Sequence, residues 1–329
     1  MTRKIVVVTP IKNEAWTLPR FLSVTSQFAD HIIVADQHST DDSVSICRRY
    51  PKVTLIHNPS DEYDEGARQR LLIQSARNLV PGEKIILALD ADEILAANAL
   101  EAPGWKTMLA ADPGTVLCFE KPDLYGTTAT CIRYRQPWPM GYVDDGAEHQ
   151  PKRIHSIRIP TPPSSPKLNI PDVKILHYAL VRDGAQSSKR RLYCVVEHIH
   201  EVNPAWRRRL AYNAAMDWTR LGRLEYSRTE WFDGWERIGI DMHTIPVATY
   251  YWQDYEVLRY FGKYGTRRFW VDDIWNFDWE TCRVHARSIN LAGIPESEVV
   301  PPPKVILSLL SIADRPLAWL RTLRRAFKK

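Results

Sequence analysis

Lys84-Ile-Ile-Leu-Ala-Leu-Asp-Ala-Asp-Glu93 sets an apolar run directly against three acids, Asp90, Asp92 and Glu93. An uninterrupted apolar run of this length, closed by a polar turn, is the pattern of a parallel strand covered on both faces. The acids then fall at the strand's C-terminal end, where open α/β sheets bind their ligands. Asp90 and Asp92, at i and i+2, can point the same way as the strand ends, and together they offer hard oxygen ligands for Mg²⁺ or Mn²⁺. A divalent ion held there would bridge a diphosphate and neutralise charge as a nucleotide leaves. A polar turn capping the next helix would use the same residues with no chemistry at all.

Similar strands surround this one. Lys4–Val8 (KIVVV), His31–Ala35 (HIIVA) and Lys52–His57 (KVTLIH) are short runs rich in β-branched residues. Helical spacing separates them at Glu14–Phe28, near Asp41–Arg49, at Gly66–Val80 and at Ala96–Ala110. Strand and helix in alternation predict an open, mostly parallel sheet flanked by helices, because parallel strands need right-handed crossovers. After residue 112 the pattern becomes irregular. Thr115–Glu120, Ile154–Ile159 and Val173–Leu180 read as strands, and the five prolines between Ile159 and Pro171 argue against regular structure there. Ser187–Leu224 is helical and basic, and Trp231–Asn290 is aromatic and helical with turns. The expected division is 1–112 as a ligand-binding α/β half, 113–225 as a second part of the same domain, and 226–329 as a helical C-terminal extension.

Composition narrows the function classes. With 329 residues the chain can bury a sizeable core. The formal charge is +5, yet Lys304–Lys329 alone carries seven basic residues against one acid, which leaves the body near neutral. A nucleic-acid binder would spread basic charge over its folded body, so no nucleic-acid partner is expected. Five cysteines without a CxxC pair argue against a disulfide framework or a zinc site and suit a reducing compartment. The apolar run near the N-terminus is too short for a signal peptide, and no stretch reaches the length of a membrane span. These features predict a cytoplasmic protein that can lie peripherally on the inner face of a membrane.

Three further motifs follow strand ends. Thr9-Pro10-Ile11-Lys12-Asn13-Glu14 comes after the first strand, and its Thr9 and Glu14 can reach a base or ribose. Asp36-Gln37-His38-Ser39-Thr40-Asp41 comes after the second, with Asp36 placed to hydrogen-bond a base or ribose and Ser39 or Thr40 to cap a helix. Ala67-Arg68-Gln69-Arg70 opens the third helix, where an arginine can grip a phosphate. Caps and solvated helix faces explain each of these singly.

In order and spacing, TPIKNE, VADQHSTDDS, ARQR and LALDADEI closely resemble the nucleotide-binding half of family 2 glycosyltransferases, which have the GT-A fold. The resemblance spans about residues 3–95. Gln150-Pro151-Lys152-Arg153-Ile154 is similar to the QxR(L/I) strand of bacterial members that build lipid-linked or lipopolysaccharide sugars, and Ile175-Leu176-His177-Tyr178 to their LHY segment. The resemblance implies donor contacts from Thr9, Pro10, Glu14, Asp36, Arg68 and Asp90. It implies a divalent metal (Mn or Mg) on Asp92 with Asp90, and His177 as a further ligand or diphosphate contact. Gln37 departs from the family, which has an acid there. A carboxylate accepts from a uracil imide, whereas glutamine both donates and accepts, so the base is left open.

An inverting transfer also needs a general base for the acceptor hydroxyl. The family draws it from beyond the DxD, where Asp144, Asp145 and Glu148 stand, and Asp145 is the first choice. The implied activity moves a sugar from a nucleotide-diphosphate donor to a saccharide or lipid-linked acceptor, in bacterial cell-surface glycan or lipid-linked saccharide synthesis. From Pro316 onward, Leu317, Leu320, Leu323 and Phe327 form an apolar stripe opposite Arg321, Arg324, Arg325 and Lys328. Such a helix can lie on an anionic membrane, or dock on the body with its charges in water.

Three other readings compete. An aspartyl phosphatase carries its DxD on the first strand, with threonine or valine two places on, whereas here Ile94 follows the fourth strand. A nucleotidyltransferase would place a glycine-rich basic loop after strand one, which TPIKNE lacks. A catalytically degenerate GT-A-fold binding or membrane-adaptor module is opposed by the intact Asp90/Asp92 pair.

Overall fold

The structure is a computed structural model and describes residues 3–60, 62–212, 219 and 222–312. Four strands expected from the sequence form one block. β1 (Lys4–Ile11), β2 (His31–Asp36), β3 (Val53–His57) and β4 (Lys84–Ala88) lie in the order β3-β2-β1-β4, all parallel. Their apolar runs are explained by cover on both faces. Val7, Ile32, Val34 and Leu87 pack in one cluster, while Val6, Val8, Ile33 and Ile86 pack in another with Leu72 and Ala76 of α3 (Glu65–Leu79).

α3 has its expected length, whereas the other three connecting helices are shorter than their periodicity suggests, and proline accounts for two of these. α1 starts only at Leu18 (Leu18–Phe28), with Pro19 in its first turn, where proline fits a helix and beyond which it does not. The run from Ala96 splits into a short turn, Ala97–Ala99, and α4 (Pro103–Ala110), again opened by a proline. α2 (Ser43–Cys47) completes the crossovers.

Beyond β4 the sheet continues in mixed sense. β9 (Trp138–Val143) pairs antiparallel with β4 and with β6 (Val116–Glu120), and β6 pairs parallel with β10 (Lys167–Leu180). β10 also pairs parallel with β7 (Asp123–Tyr125) and antiparallel with β5 (Glu93–Leu95). β8 (Thr127–Arg133) and β11 (Arg223–Tyr226) extend the edge beyond β7. The open α/β sheet with flanking helices is therefore present.

Two strand expectations need correction. Ile154–Ile159 is not a strand: the stretch from 144 to 166 runs as bends and coil. The proline-rich segment does contain regular structure, because β10 begins at Lys167 and includes Pro171. Pro171 falls where the register with β6 shifts between Ile170 and Lys174, so its missing N–H breaks no ladder bond.

The chain divides into two compact units, Met1–Arg182 with Trp218–Pro246, and Asp183–Asp217 with Val247–Lys329. The units are discontinuous in sequence, so they differ from the three successive segments expected. In the first unit, Trp235 Nε1 donates to the Leu95 carbonyl (2.7 Å) and Tyr178 Oη to the Met242 carbonyl (2.9 Å), which ties 231–246 onto β5 and β10. In the second, α5 (Asp183–Ile199) packs with α8 (Trp252–Tyr264), and α9 (Trp279–Ser288) joins α8. Phe261 stacks on Trp275 and meets Trp279 edge-on. Asp272 holds both His198 and Arg208. Of the twelve tryptophans, Trp231, Trp235 and Trp279 are buried core material. All five cysteines are free and buried.

Candidate active site

The end of β4 is the centre of the charged network. Five residues beyond Ala88, Glu93 opens β5, and the register of β10 sets His177 opposite Glu93 on one side and opposite Asp123 on the other. Backbone bonds lock this arrangement, since the Tyr178 N–H donates to the Asp92 carbonyl (2.9 Å) and the His177 N–H to the Pro122 carbonyl (3.0 Å). His177 Nε2 consequently lies 3.6 Å from Asp92 Oδ2, and its Nδ1 meets Asp123 Oδ1 at 2.6 Å. Tyr134 donates its hydroxyl to Asp123 Oδ2 at 2.6 Å.

Asp90 is held from two directions. Its N–H donates to Glu93 Oε2 (2.9 Å), and its carboxylate pairs with Arg158 (3.0 Å). Arg158 also makes two bonds to Glu93, at 2.7 and 2.8 Å, and Lys121 adds a third at 3.2 Å. Glu93 is 0% exposed. Burial pushes its pKa up, but Arg158 and Lys121 outweigh burial and hold it well below the usual glutamate range. Asp123 follows the same pattern: burial raises it, and His177, Lys121 and the Tyr134 hydrogen bond bring it below normal.

Beside this network a cavity is lined by Pro10, Arg68, Gln69, Ala88 and Arg158. Arg68 also lies over the ring of Tyr63. Gly66 lets the backbone of 150–153 cross the start of α3, since a Cβ there would stand 2.8 Å from the Lys152 carbonyl oxygen. Arg153 secures the crossing through Glu62 (3.2 Å) and Asp64 (3.5 Å). The QPKRI motif therefore lies against the helix opened by ARQR, as a loop.

The other expected donor residues are distributed around this edge. Pro10 lines the cavity, whereas Thr9 shares the opposite face with Val7 and Ile11, fully buried with no partner for its hydroxyl among the described residues. Glu14 accepts from Trp16 Nε1 (2.7 Å). Asp36 accepts from the Ser39 N–H, and Gln37 donates its amide to the Ser60 and Glu62 carbonyls, both at 3.0 Å. Glutamine at this position thus fastens the loop after β3, which a carboxylate, having no donor, could not do.

Asp144 and Asp145 lie elsewhere. β9 runs antiparallel to β4, so its end meets the start of β4: the Asp144 N–H donates to the Lys84 carbonyl at 3.0 Å. Asp144 pairs with Arg77 (2.7 Å), and Asp145 accepts from Tyr142 Oη (2.6 Å). The strand between them and Asp90 is about 16 Å long at ~3.3 Å per residue. Glu148 is exposed, next to His149, whose Nε2 meets Gln69 Oε1 at 3.0 Å. Asp145→Ala is therefore expected to leave kcat/KM within about twofold of wild type, less than ~0.5 kcal/mol of barrier. A loss of a hundredfold or more in steady-state assays would contradict this placement.

Sequence reasoning missed Asp123, Tyr134, Lys121 and Arg158. Glu93 stood in view as part of DADE, but only the pairing of β5 with β10 gives it partners. Among the described residues no group of three or more His, Cys, Asp or Glu forms a metal cage. Asp92 and His177 together still suit Mg²⁺ or Mn²⁺ as part of a shell, since such ions take the rest from phosphates and water.

No curated protein matches the chain by sequence. Solved structures with some likeness include glucosyl-3-phosphoglycerate synthase from Mycobacterium tuberculosis in complex with Mn²⁺, UDP and glucosyl-3-phosphoglycerate, at 23% identity and TM-score 0.27, covering 37% of this chain and 44% of that one. S. aureus TarS 1-349 in complex with UDP shows 19% identity and TM-score 0.29, covering 36% of each chain. The chain thus spans less than half of these relatives, and likeness at this level bears on neither substrate nor chemistry. The family model of Glycosyl transferase family 2 matches residues 6–103, the segment from β1 through the Asp90–Glu93 edge to the start of α4. Over this N-terminal segment, 98 of 329 residues, the chain is similar to family 2 of the glycosyl transferases.

Proposed function

We propose that the chain is an inverting glycosyltransferase that moves a sugar from a nucleotide-diphosphate donor to an acceptor hydroxyl, in bacterial cell-surface glycan or lipid-linked saccharide synthesis. The observation that carries this is the convergence of Asp90, Asp92 and His177 on one sheet edge, next to the cavity lined by Pro10 and Arg68. Asp92 and His177 would hold the divalent ion, and Asp90 would meet the donor's ribose. The ion, when bound, supplies positive charge against the leaving diphosphate. Arg68 adds a guanidinium that suits a phosphate. Of the acids expected to serve as base, Asp144 pairs with Arg77 and Asp145 accepts from Tyr142, which favours Glu148 for this role.

Calorimetry with UDP, GDP, dTDP and CDP, each with Mn²⁺ or with EDTA, tests the reading. One nucleotide is expected to bind with metal and to fail with EDTA. Failure of all four with well-folded protein would sink the donor-site assignment and favour the adaptor reading.

Membrane attachment belongs to the same proposal. No helix among the described residues is long and apolar enough to cross a membrane. The helical segment 304–312 nevertheless exposes Val305 (69%), Leu309 (62%) and Ile312 (60%). The basic amphipathic stripe expected from Pro316 onward lies outside the described residues. An apolar helix leading into basic sequence suits an anionic lipid surface. Flotation with vesicles containing phosphatidylglycerol is expected to carry the protein up, and a chain ending at residue 303 is expected to stay behind. Equal flotation of both would remove this part.

A further inference from the structure

We propose that Asp123 is the positioning residue of the metal site, setting the tautomer of His177 so that the Nε2 lone pair faces the same point as Asp92. This rests on the reading of Asp92 and His177 as metal ligands, and it concerns a residue outside every motif of the sequence. Three observations support it.

The first is that both oxygens of Asp123 are occupied by side chains. Oδ1 lies 2.6 Å from His177 Nδ1 and Oδ2 accepts from Tyr134 at 2.6 Å. No backbone N–H donates to this carboxylate among the described residues, so it caps no turn and closes no ladder. The second is the direction of the contact. Asp123 is 8% exposed, Tyr134 already donates to its Oδ2, and its Oδ1 faces Nδ1 at hydrogen-bond distance. A carboxylate oxygen accepts, so the Nδ1 facing it carries the proton. In a neutral imidazole the free lone pair then lies on Nε2.

The third is the spacing on the far side of the ring. Nε2 stands 3.6 Å from Asp92 Oδ2, too long for a hydrogen bond. Two donors about 2.1 Å from a shared ion, at angles near 90–110°, stand roughly 3.0–3.5 Å apart, so little movement brings this pair onto one ion. A carboxylate behind a ligating histidine fixes its orientation and raises its basicity. The sheet builds this relay without a loop: β7 supplies Asp123, β10 His177, and the turn before β5 Asp92.

The same Asp–His pair could instead pass a proton from an acceptor hydroxyl, with Nε2 as general base. The approach of Nε2 to Asp92 favours the ligand role, and the experiment separates the two.

Two measurements are made on wild type, Asp123→Ala, Asp123→Asn and Tyr134→Phe, with folding checked by thermal melting. Two-bond ¹H–¹⁵N spectra of the metal-free protein at neutral pH read the tautomer of His177, assigned through His177→Gln. Mn²⁺ affinity is measured by electron paramagnetic resonance with UDP, GDP, dTDP and CDP in turn, against Asp92→Ala as the blank. Wild type is expected to show the Nδ1–H form. Asp123→Ala is expected to lose that form and to bind Mn²⁺ about 10–100-fold more weakly. Asp123→Asn, which keeps an acceptor, and Tyr134→Phe should fall between.

An Nε2–H form in wild type, or wild-type Mn²⁺ affinity in a folded Asp123 variant, overturns the proposal. Unchanged Mn²⁺ affinity together with the Nδ1–H form would leave the pair the role of proton acceptor. If Asp123→Ala does not fold, Asp123→Asn and Tyr134→Phe decide on the same criteria. Absence of any Asp92-dependent Mn²⁺ binding in wild type would defeat the metal-site reading itself, and the spectra would still report whether Asp123 sets the ring.

Discussion

Asp92→Ala is expected to abolish metal-dependent nucleotide binding and to lower kcat/KM by at least roughly 10²–10³, the scale of losing one preorganised charge-stabilising group. On the proposed reading the substitution removes one of two donors, 3.6 Å from the other, and His177 alone would hold an ion weakly. Asp92 contributes little to the fold beyond its backbone carbonyl, which accepts from Tyr178 and survives the change. Melting temperature should therefore stay near wild type while binding and turnover collapse together. Calorimetry with Mn²⁺ and steady-state assays read the two effects. Retained turnover with lost metal binding would mean that the ion is dispensable.

Glu93→Gln should have the largest effect on stability, about 3–5 kcal/mol, because it breaks a buried ion cluster by removing one charge. Arg158 and Lys121 keep their positions, and Arg158 retains its ion pair with Asp90. For a unit of this size, each kcal/mol is worth about 2–4 °C, so the first unit should melt roughly 6–20 °C earlier. The pH dependence provides an independent check. Glu93 titrates lower in the folded chain than in the unfolded one, so its contribution is complete above about pH 4.5 and fades as pH falls further. Wild-type stability should therefore drop with acid more steeply than that of Glu93→Gln. Parallel acid profiles for the two proteins would show that Glu93 is not ionised in the native state.

The contrast between these two acids shows what a sequence can disclose. Asp92 stood out as a candidate because its place belongs to a local pattern, a carboxylate just past an apolar strand. Glu93 was visible only as one more acid, since its partners come from 28 and 65 residues away. Asp123 left no signal, because it follows Lys121-Pro122 in a region without periodicity and acquires meaning only from the pairing of β7 with β10. Asp145 shows the converse failure. A pair of acids beyond the DxD looks suitable, but the antiparallel sense of β9, which no local pattern encodes, sends it to the other edge. The parallel block was readable for the opposite reason: its strands are buried on both faces, so each announces itself without reference to its neighbours.

The return of 218–246 to the first unit has a consequence during synthesis. β5, β10 and α1 leave the ribosome early, yet Trp235, the Met242 carbonyl and the Asp241 and Thr244 carbonyls that bind Arg20 come later. At 5–20 residues per second, the 64 residues from 182 to 246 take roughly 3–13 s to appear. For that interval the nascent domain presents uncovered apolar surface around Leu95 and Tyr178, so chaperone demand should peak there. A stalled or truncated product ending before residue 246 is expected to aggregate, even though it contains the whole segment that carries Asp90 and Asp92.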